Sequence, residues 1–217
     1  MKHDFQLKLK DKYFKISLEL MTSKMAENWP ILSGKYEVGN KESNVAVVTI
    51  SSKINFPRDL FTVCGEMRTE NLGIERVIIN TISNCNIRYI VVCGKESKGH
   101  FSGQSLIAIH ENGIDENGRI IGSKGAIPFI ENIPKESVER FRKQVKKVIN
   151  LIDETDVIKI IEKIKLIPRE EAFEEEPFIF RLIEETKKEV AYSGNNVLIT
   201  DNLTFDPINF IICDANV

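Results

Sequence analysis

Apolar and polar positions alternate at the start of the chain. In "DFQLKLKDKYFKISLEL", Phe5, Leu7 and Leu9, then Ile16, Leu18 and Leu20, recur at every second residue, which predicts two strands of a hairpin around residues 10–12. The texture changes at "NWPILSGKYEVGN", where Pro, Gly and Asn punctuate a loop ahead of "NVAVVTI", a continuous apolar run suited to a strand covered on both faces. Helical spacing follows in "FPRDLFTVCGEM" and "GIERVIINTIS", the second with a stripe of Ile74, Val77, Ile78 and Ile82. "NIRYIVVCG" reads as a second buried strand, parallel to the first through the intervening helix.

"SGQSLIAIHENG" predicts a helix with Ser102 as N-cap and Gly113 as its left-handed terminator. "ENIPKESVERFRKQV" predicts another, with Pro134 in its first turn and Val138, Phe141 and Val145 on one side. "KVINLID" is strand-like and "TDVIKIIEKIKLI" helical. This alternation over residues 45–167 predicts an α/β fold, a Rossmann-type three-layer sandwich with a mostly parallel sheet. Residues 1–27 form the expected N-terminal β-hairpin extension and 28–167 the main domain. Residues 168–217 are read as a small extension, with "REEAFEEEPF" as a solvated acidic linker, then helix-like "FIFRLIEETKKEV" and strand-like "NVLIT" and "NFIIC".

Composition narrows the function. The 217 residues can bury a core without staples, and 30 Lys and Arg against 32 Asp and Glu leave a formal charge of -2, so neither nucleic acid nor an anionic membrane is the expected partner. No apolar run reaches the ~20 residues of a membrane helix, and no secretory signal opens the chain, which points to a cytoplasmic protein without a transmembrane segment of its own. Cys64, Cys85, Cys93 and Cys213 lack the close pairing of zinc or redox motifs and read as buried thiols.

Among three histidines, His100 stands out. It lies in "GHFSG", between glycines that let backbone approach a ligand, and at the carboxyl end of a predicted strand, where open α/β sheets hold their ligands. A hydrogen-bonded surface histidine is the plain alternative. His110 is better explained by a helix C-terminus, and His3 by the chain end. No second His, Cys or carboxylate has zinc-site spacing, and one ligand cannot hold a bare ion; a macrocycle, which brings four equatorial nitrogens, needs only one axial imidazole. "MRTENLGIE" and the glycine-rich, apolar "NGRIIGSKGAIPFIENIP" are further candidate segments, the latter either lying flat on an apolar ligand or forming a β-turn on the domain edge. The nucleophile elbow G-x-S-x-G, the phosphate loop G-x-x-x-x-G-K-[ST] and G-x-G-x-x-G are absent, which leaves hydrolase and ordinary nucleotide chemistry without support.

The runs "NWPILSGKYEVGN", "VAVVTI", "TENLGIERVIINTISNCNIRYIVVCG", "GHFSGQSLIAIHENGIDENGRIIGSKGAIPFIENIP" and "VERF" closely resemble the A subunit of tetrahydromethanopterin S-methyltransferase, which carries the corrinoid in a methyl-transfer complex, over roughly residues 28–167. The resemblance implies a cobamide cofactor, cobalamin or 5-hydroxybenzimidazolylcobamide, with His100 as the catalytic residue and axial ligand to cobalt. It implies that Thr69, Glu70, Asn71, Leu72, Gly73, Ser102, Gly103, Gln104, Ser105, Gly122, Lys124, Gly125, Ala126, Ile127, Pro128 and Phe129 enclose the corrin and its nucleotide tail. The implied chemistry is acceptance of a methyl group from methyl-tetrahydromethanopterin on Co(I) and its delivery to coenzyme M or another thiol. Methyltransferase partner proteins would be needed for turnover.

The family's carboxyl-terminal membrane anchor has no counterpart in residues 168–217, so the resemblance points to a soluble homologue. Other corrinoid methyltransferases use D-x-H-x-x-G, in which the aspartate holds the imidazole; here Lys98 takes the place of the acid. Gln104, Glu70 or a backbone carbonyl are the candidates for that role. A non-catalytic corrinoid store or regulatory module, which would keep the pocket without methyl exchange, is the alternative reading.

Overall fold

Five strands form the central sheet: β1 (Tyr36–Val38), β2 (Val45–Val48), β3 (Val63–Gly65), β4 (Tyr89–Gly94) and β5 (Lys147–Ile152). The computed structural model describes residues 24–179 and, in the tail, the backbone of 192–193, 196–200, 203–206 and 211–214. The N-terminal hairpin expected around residues 10–12, His3 and most of the helix expected after residue 178 lie outside the described residues.

The sheet order is β1-β3-β2-β4-β5. β2 pairs in parallel with both β3 and β4, β4 in parallel with β5, and β1 closes one edge antiparallel to β3. The architecture is therefore α/β with a mixed sheet. β2 and β4 are buried at every position, as their unbroken apolar runs require. Among the described residues, four α-helices accompany the strands: α1 (Leu72–Ile82), α2 (Ser102–Asn112), α3 (Lys135–Gln144) and α4 (Val157–Lys165).

Alternate strand residues feed two apolar clusters. Ala46, Val48, Ile90, Val92 and Val148 pack with Ile74, Ile78 and Ile82 of α1, Leu106 and Ile109 of α2, and Val138 and Phe141 of α3. Val45, Val47, Val91 and Cys93 pack with Phe56, Phe61 and, from α4, Ile160 and Ile164. Cys64, Cys85 and Cys93 are buried free thiols; for Cys64 and Cys93, burial above all pushes the thiol up to about 12.

Three expectations change. Residues 56–67 have helical spacing but form one 3-10 turn at Arg58–Leu60 followed by β3. Thr62 N–H reaches Val45 O at 2.7 Å, so the chain is drawn into the sheet beside β2 before a second helical turn can form. Ser102 begins α2 as its first helical residue, and the cap comes from elsewhere, as described below.

The acidic stretch 169–178 packs on the domain. Phe173 is 8% exposed, its N–H donates to Cys85 O at 2.8 Å, and the Arg140 guanidinium lies 4.5 Å from its ring centroid. Arg140, itself 6% exposed, also donates to Glu175 Oε2 (2.8 Å) and Glu176 O (2.9 Å). The apolar and aromatic members of the stretch decide its path, and the carboxylates supply ion partners.

The chain divides at residue 180 into two units. In the second, β6 (Tyr192–Ser193), β7 (Asn196–Thr200), β8 (Leu203–Asp206) and β9 (Ile211–Asp214) form an antiparallel sheet in sequential order. Among the described residues, no helix is long and apolar enough to cross a membrane.

Candidate functional site

The four parallel strands stand in the order β3-β2-β4-β5, so the sheet changes winding direction between β2 and β4. Loops diverge at such a point and leave a crevice at the carboxyl ends of the strands. A cleft of about 800 Å³ opens there, bounded by Ser51, Arg68, Lys95, His100, Phe101 and Asp153 among others.

His100 is delivered by the turn between β4 and α2. Gly99 has φ +79 with open space where a side chain would stand, and Phe101 has φ 47 and ψ 44, a left-handed conformation that a bulky residue adopts at a cost of about 1–3 kcal/mol. The turn is set by Glu96. Its Oε1 accepts from Ser97 N–H (2.8 Å) and Gly103 N–H (3.0 Å), and its Oε2 from Gln104 N–H (2.9 Å), so a carboxylate caps the positive end of α2. Ser102 Oγ lies inward, donating to Met67 O at 2.9 Å and standing 3.0 Å from Ser97 Oγ. Gly103 leaves room for Ile50, whose Cδ1 would lie 2.6 Å from an added Cβ.

The imidazole of His100 is 53% exposed, whereas the Glu70 side chain beside it is 2% exposed. His100 Nδ1 and Glu70 Oε2 are 2.7 Å apart. Burial acts to raise the Glu70 carboxyl, but the N–H groups of Ile127 and of Glu70 itself, together with His100, outweigh it and hold the group below the usual carboxylate range. An ionised carboxylate only accepts, so Nδ1 carries the proton that faces Glu70, and the tautomer this selects has its lone pair on Nε2. Nε2 has no hydrogen-bond partner among the described residues.

Glu70 also holds the glycine-rich segment. Its Oε1 accepts from Ile127 N–H at 2.7 Å. Gly125 sits against it so closely that a Cβ there would lie 2.6 Å from both Glu70 Cγ and His100 O. Gln104 clamps the same segment, donating from Nε2 to Gly122 O (3.0 Å) and accepting at Oε1 from Lys124 N–H (2.9 Å); Ser105 Oγ stands 2.6 Å from Ser123 Oγ. Farther along, the buried Glu75 carboxylate accepts from the N–H groups of Glu131 and Asn132, both at 2.9 Å. Isolated bridges, Ile114 with Ile120 and Arg119 with Phe129, fold residues 114–129 back on themselves.

The remaining candidates divide by role. Thr69 Oγ1 accepts from Gly73 N–H (2.9 Å) and Asn71 Oδ1 from Leu72 N–H (2.7 Å), so both shape the start of α1. Leu72 (52%), Phe101 (40%) and Ile127 (61%) are exposed apolar side chains. Ala126 is exposed, Pro128 is buried with its carbonyl accepting from Ile120 N–H, and Phe129 faces the Arg119 guanidinium at 5.4 Å. Glu75 and Ser123 lie within the segments singled out in the sequence without being given a role there, and Glu96 was given none. Glu75 works through an acceptor oxygen on backbone N–H groups 56 and 57 residues along the chain, and Glu96 on those of its own turn and of the helix start that follows, pairings that leave no periodic or motif signal. His110 lies apart, its Nε2 donating to Val145 O at 2.7 Å.

Residues 22–190 match the sequence profile of MtrA, the family of the A subunit of tetrahydromethanopterin S-methyltransferase. The chain is 46% identical over 198 residues to the A subunit of the methyltransferase Mtx of Methanosarcina barkeri, covering 89% of this chain and 98% of that protein. It is 50% identical over 167 residues to the A subunit of tetrahydromethanopterin S-methyltransferase of Methanocaldococcus jannaschii, covering 72% of this chain and 67% of that one. With the second of the A subunits of the same enzyme in Methanothermobacter thermautotrophicus the identity is 46% over 163 residues, 73% of this chain and 88% of the relative.

Proposed function

This chain belongs to the MtrA family of tetrahydromethanopterin S-methyltransferase A subunits, and from that premise we propose that it is a cobamide-binding methyl carrier of a methyltransferase system, with His100 as the protein ligand to cobalt. The observation that carries this reading is the His100–Glu70 pair, with Nδ1 bound to a buried carboxylate and Nε2, on a half-exposed ring, without a hydrogen-bond partner among the described residues.

The donor set fits a corrinoid better than a bare ion. Among the described residues no group of three or more His, Cys, Asp or Glu side chains could hold a metal, whereas a macrocycle supplies four nitrogens and asks the protein for one. A bound cobamide would supply a cobalt centre that accepts the methyl group of methyl-tetrahydromethanopterin in its Co(I) state and yields it to coenzyme M or another thiol.

The residues of this chain then have defined tasks. Glu70 fixes the tautomer and orientation of His100 and raises the basicity of Nε2, as a carboxylate behind a ligating imidazole does. Gln104, Glu70 and Glu75 hold residues 122–132 beside the cleft. Phe101 and Ile127 offer exposed apolar surface on the turn and segment that adjoin the imidazole. In this reading the carrying domain is of Rossmann type, and partner proteins bring the methyl donor and acceptor.

Full-length protein loaded with cobalamin and reduced, then mixed with methyl-tetrahydromethanopterin and the partner methyltransferase proteins, is expected to become methylated and to lose the methyl group on addition of coenzyme M, both followed by absorbance. Tight binding without exchange in either direction would replace this reading with that of a corrinoid store or regulatory module.

A further inference from the structure

β5 ends the central sheet on one side. Its six residues pair with β4, from Lys147 opposite Tyr89 to Ile152 opposite Gly94, and among the described residues no strand lies on its other side. Such an edge offers a row of backbone donors and acceptors to any strand that fits it. Asp153 N–H reaches Gly94 O of β4 at 2.8 Å, whereas Ile152 N–H meets the side-chain oxygen of Asn150 at 3.0 Å. Backbone groups alternate in direction along a strand, so those of Val148, Asn150 and Ile152 face outward.

The sequence at this edge is complementary to itself. It reads "KKVINLIDE" over residues 146–154, with cations at one end, carboxylates at the other and Asn150 at the centre. Antiparallel pairing of two copies about Asn150 sets Lys147 opposite Asp153, Lys146 opposite Glu154, Val148 opposite Ile152 and Ile149 opposite Leu151. The outward residues then meet one another, the geometry in which opposed residues exchange both N–H···O bonds. A parallel copy would instead set lysine against lysine and carboxylate against carboxylate. The inner charges are available: among the described residues the exposed Lys147 side chain has no ion pair or hydrogen bond, and the exposed Asp153 carboxylate accepts from Glu96 N–H (3.3 Å) and likewise forms no ion pair. Lys146 and Glu154 already have ion partners, Glu170 at 2.6 Å and Lys159 at 3.8 Å. Ile149 and Leu151 are half-buried on the α4 side of the sheet and Ile152 on the other, so the strand has apolar flanks on both faces.

We propose that β5 is the interface of a two-fold dimer, in which a second copy of this chain extends the sheet antiparallel in the register centred on Asn150. The same patch serves both copies, as a closed two-fold interface requires. In the single chain Asn150 occupies Ile152 N–H, and it swings away when the second strand arrives. Because the copies run antiparallel, the carboxyl ends of their parallel strands point in opposite directions, and the two His100 clefts open at opposite ends of the joint sheet. The proposal is independent of what the cleft binds.

The test is sedimentation of the full-length chain, without cofactor, over a range of concentrations for wild type, Lys147→Glu, Asp153→Lys and an equimolar mixture of those two variants. Wild type should associate to twice the chain mass. Each variant alone sets like charges opposite one another and should weaken association by at least about tenfold, whereas the mixture restores opposite charges at both ends and should recover it. Disulfide capture gives a second reading that needs neither charge variant to fold. Asn150 faces its counterpart with Cα atoms about 5.5 Å apart, so Asn150→Cys should cross-link under mild oxidation above the wild-type background, whereas Lys147→Cys, about 20 Å from its counterpart, should not. A wild type that stays monomeric at about 200 μM, variants that associate as wild type does, a mixture no better than its components, or equal cross-linking at the two positions would each overturn the proposal. In a monomer, protection of the Val148 and Asn150 amides from exchange would give the edge to another segment of this chain.

Discussion

Nδ1 of His100 stands 2.7 Å from a carboxylate oxygen of Glu70, thirty residues earlier and almost wholly buried. A solvent-facing imidazole is thereby given a fixed tautomer by a group that water scarcely reaches. Because Glu70 titrates below the usual carboxylate range in the folded chain, its contribution to stability is complete above the unfolded value of about 4.3 and is lost as pH falls through the lower folded value. Glu70→Gln is expected to cost about 1–3 kcal/mol near neutral pH, with the melting temperatures of variant and wild type converging in acid. A gap that does not change with pH would contradict this account of Glu70.

Gly125→Ala should harm the site without altering any polar group. Its Cβ would enter to 2.6 Å of His100 O and Glu70 Cγ, and the first of these is backbone that cannot swing aside. We expect a loss of about 1–3 kcal/mol in denaturant unfolding and weaker cobalamin binding by about tenfold or more. Gly99→Ala, facing open space but with φ +79, should cost less and leave the His100–Glu70 bond in place.

Glu96→Ala removes the cap of α2 and frees three N–H groups at the turn that carries His100. A stability loss of about 0.5–2 kcal/mol is expected, together with faster amide exchange at Ser97, Gly103 and Gln104. Unchanged exchange at those three amides would show that the turn is held by other means.

Much of the fold was legible because its signals are local. The runs at Val45–Val48 and Tyr89–Gly94 suit strands buried on both faces, and the stripe of Ile74, Ile78 and Ile82 suits the inward face of a helix, as the structure has them. Glu70 was among the candidates for a partner to His100, since it falls in a segment singled out for its polar turn. What the sequence hid depends on tertiary position. Ser102 has the right residue type and place for an N-cap, yet Glu96 reaches the helix end first and Ser102 is turned inward to Met67 O. The acidic run 169–178 looks solvated until Phe173 meets Arg140 and Cys85.

That packing gives its own prediction. Arg140→Ala leaves Glu176 O without its donor, removes the nearer of the two guanidinium groups over the Phe173 ring and opens a gap where a 6% exposed side chain stood. Residues 169–178 should become sensitive to limited proteolysis, with a stability loss of about 1–3 kcal/mol, smaller than for a fully buried pair because Glu175 is half exposed. Protection equal to wild type would mean that the apolar contacts of Phe173 and Phe178 suffice.

Thiol chemistry tests the core independently. Cys64 and Cys93, pushed up to about 12 mainly by burial, should resist iodoacetamide at pH 8 in the native protein and react on unfolding. Rapid native alkylation of either would contradict their assignment to the sheet interior.

The central claim is that Nε2 of His100 is the ligand to cobalt, and electron paramagnetic resonance of the cobalamin-loaded protein after reduction to Co(II) reads it directly. With ¹⁵N-histidine incorporated, the axial-nitrogen splitting of wild type should change from a triplet to a doublet, and in His100→Ala no splitting that responds to the isotope should remain. A wild-type splitting indifferent to the isotope, or a doublet that persists in His100→Ala, would contradict the assignment.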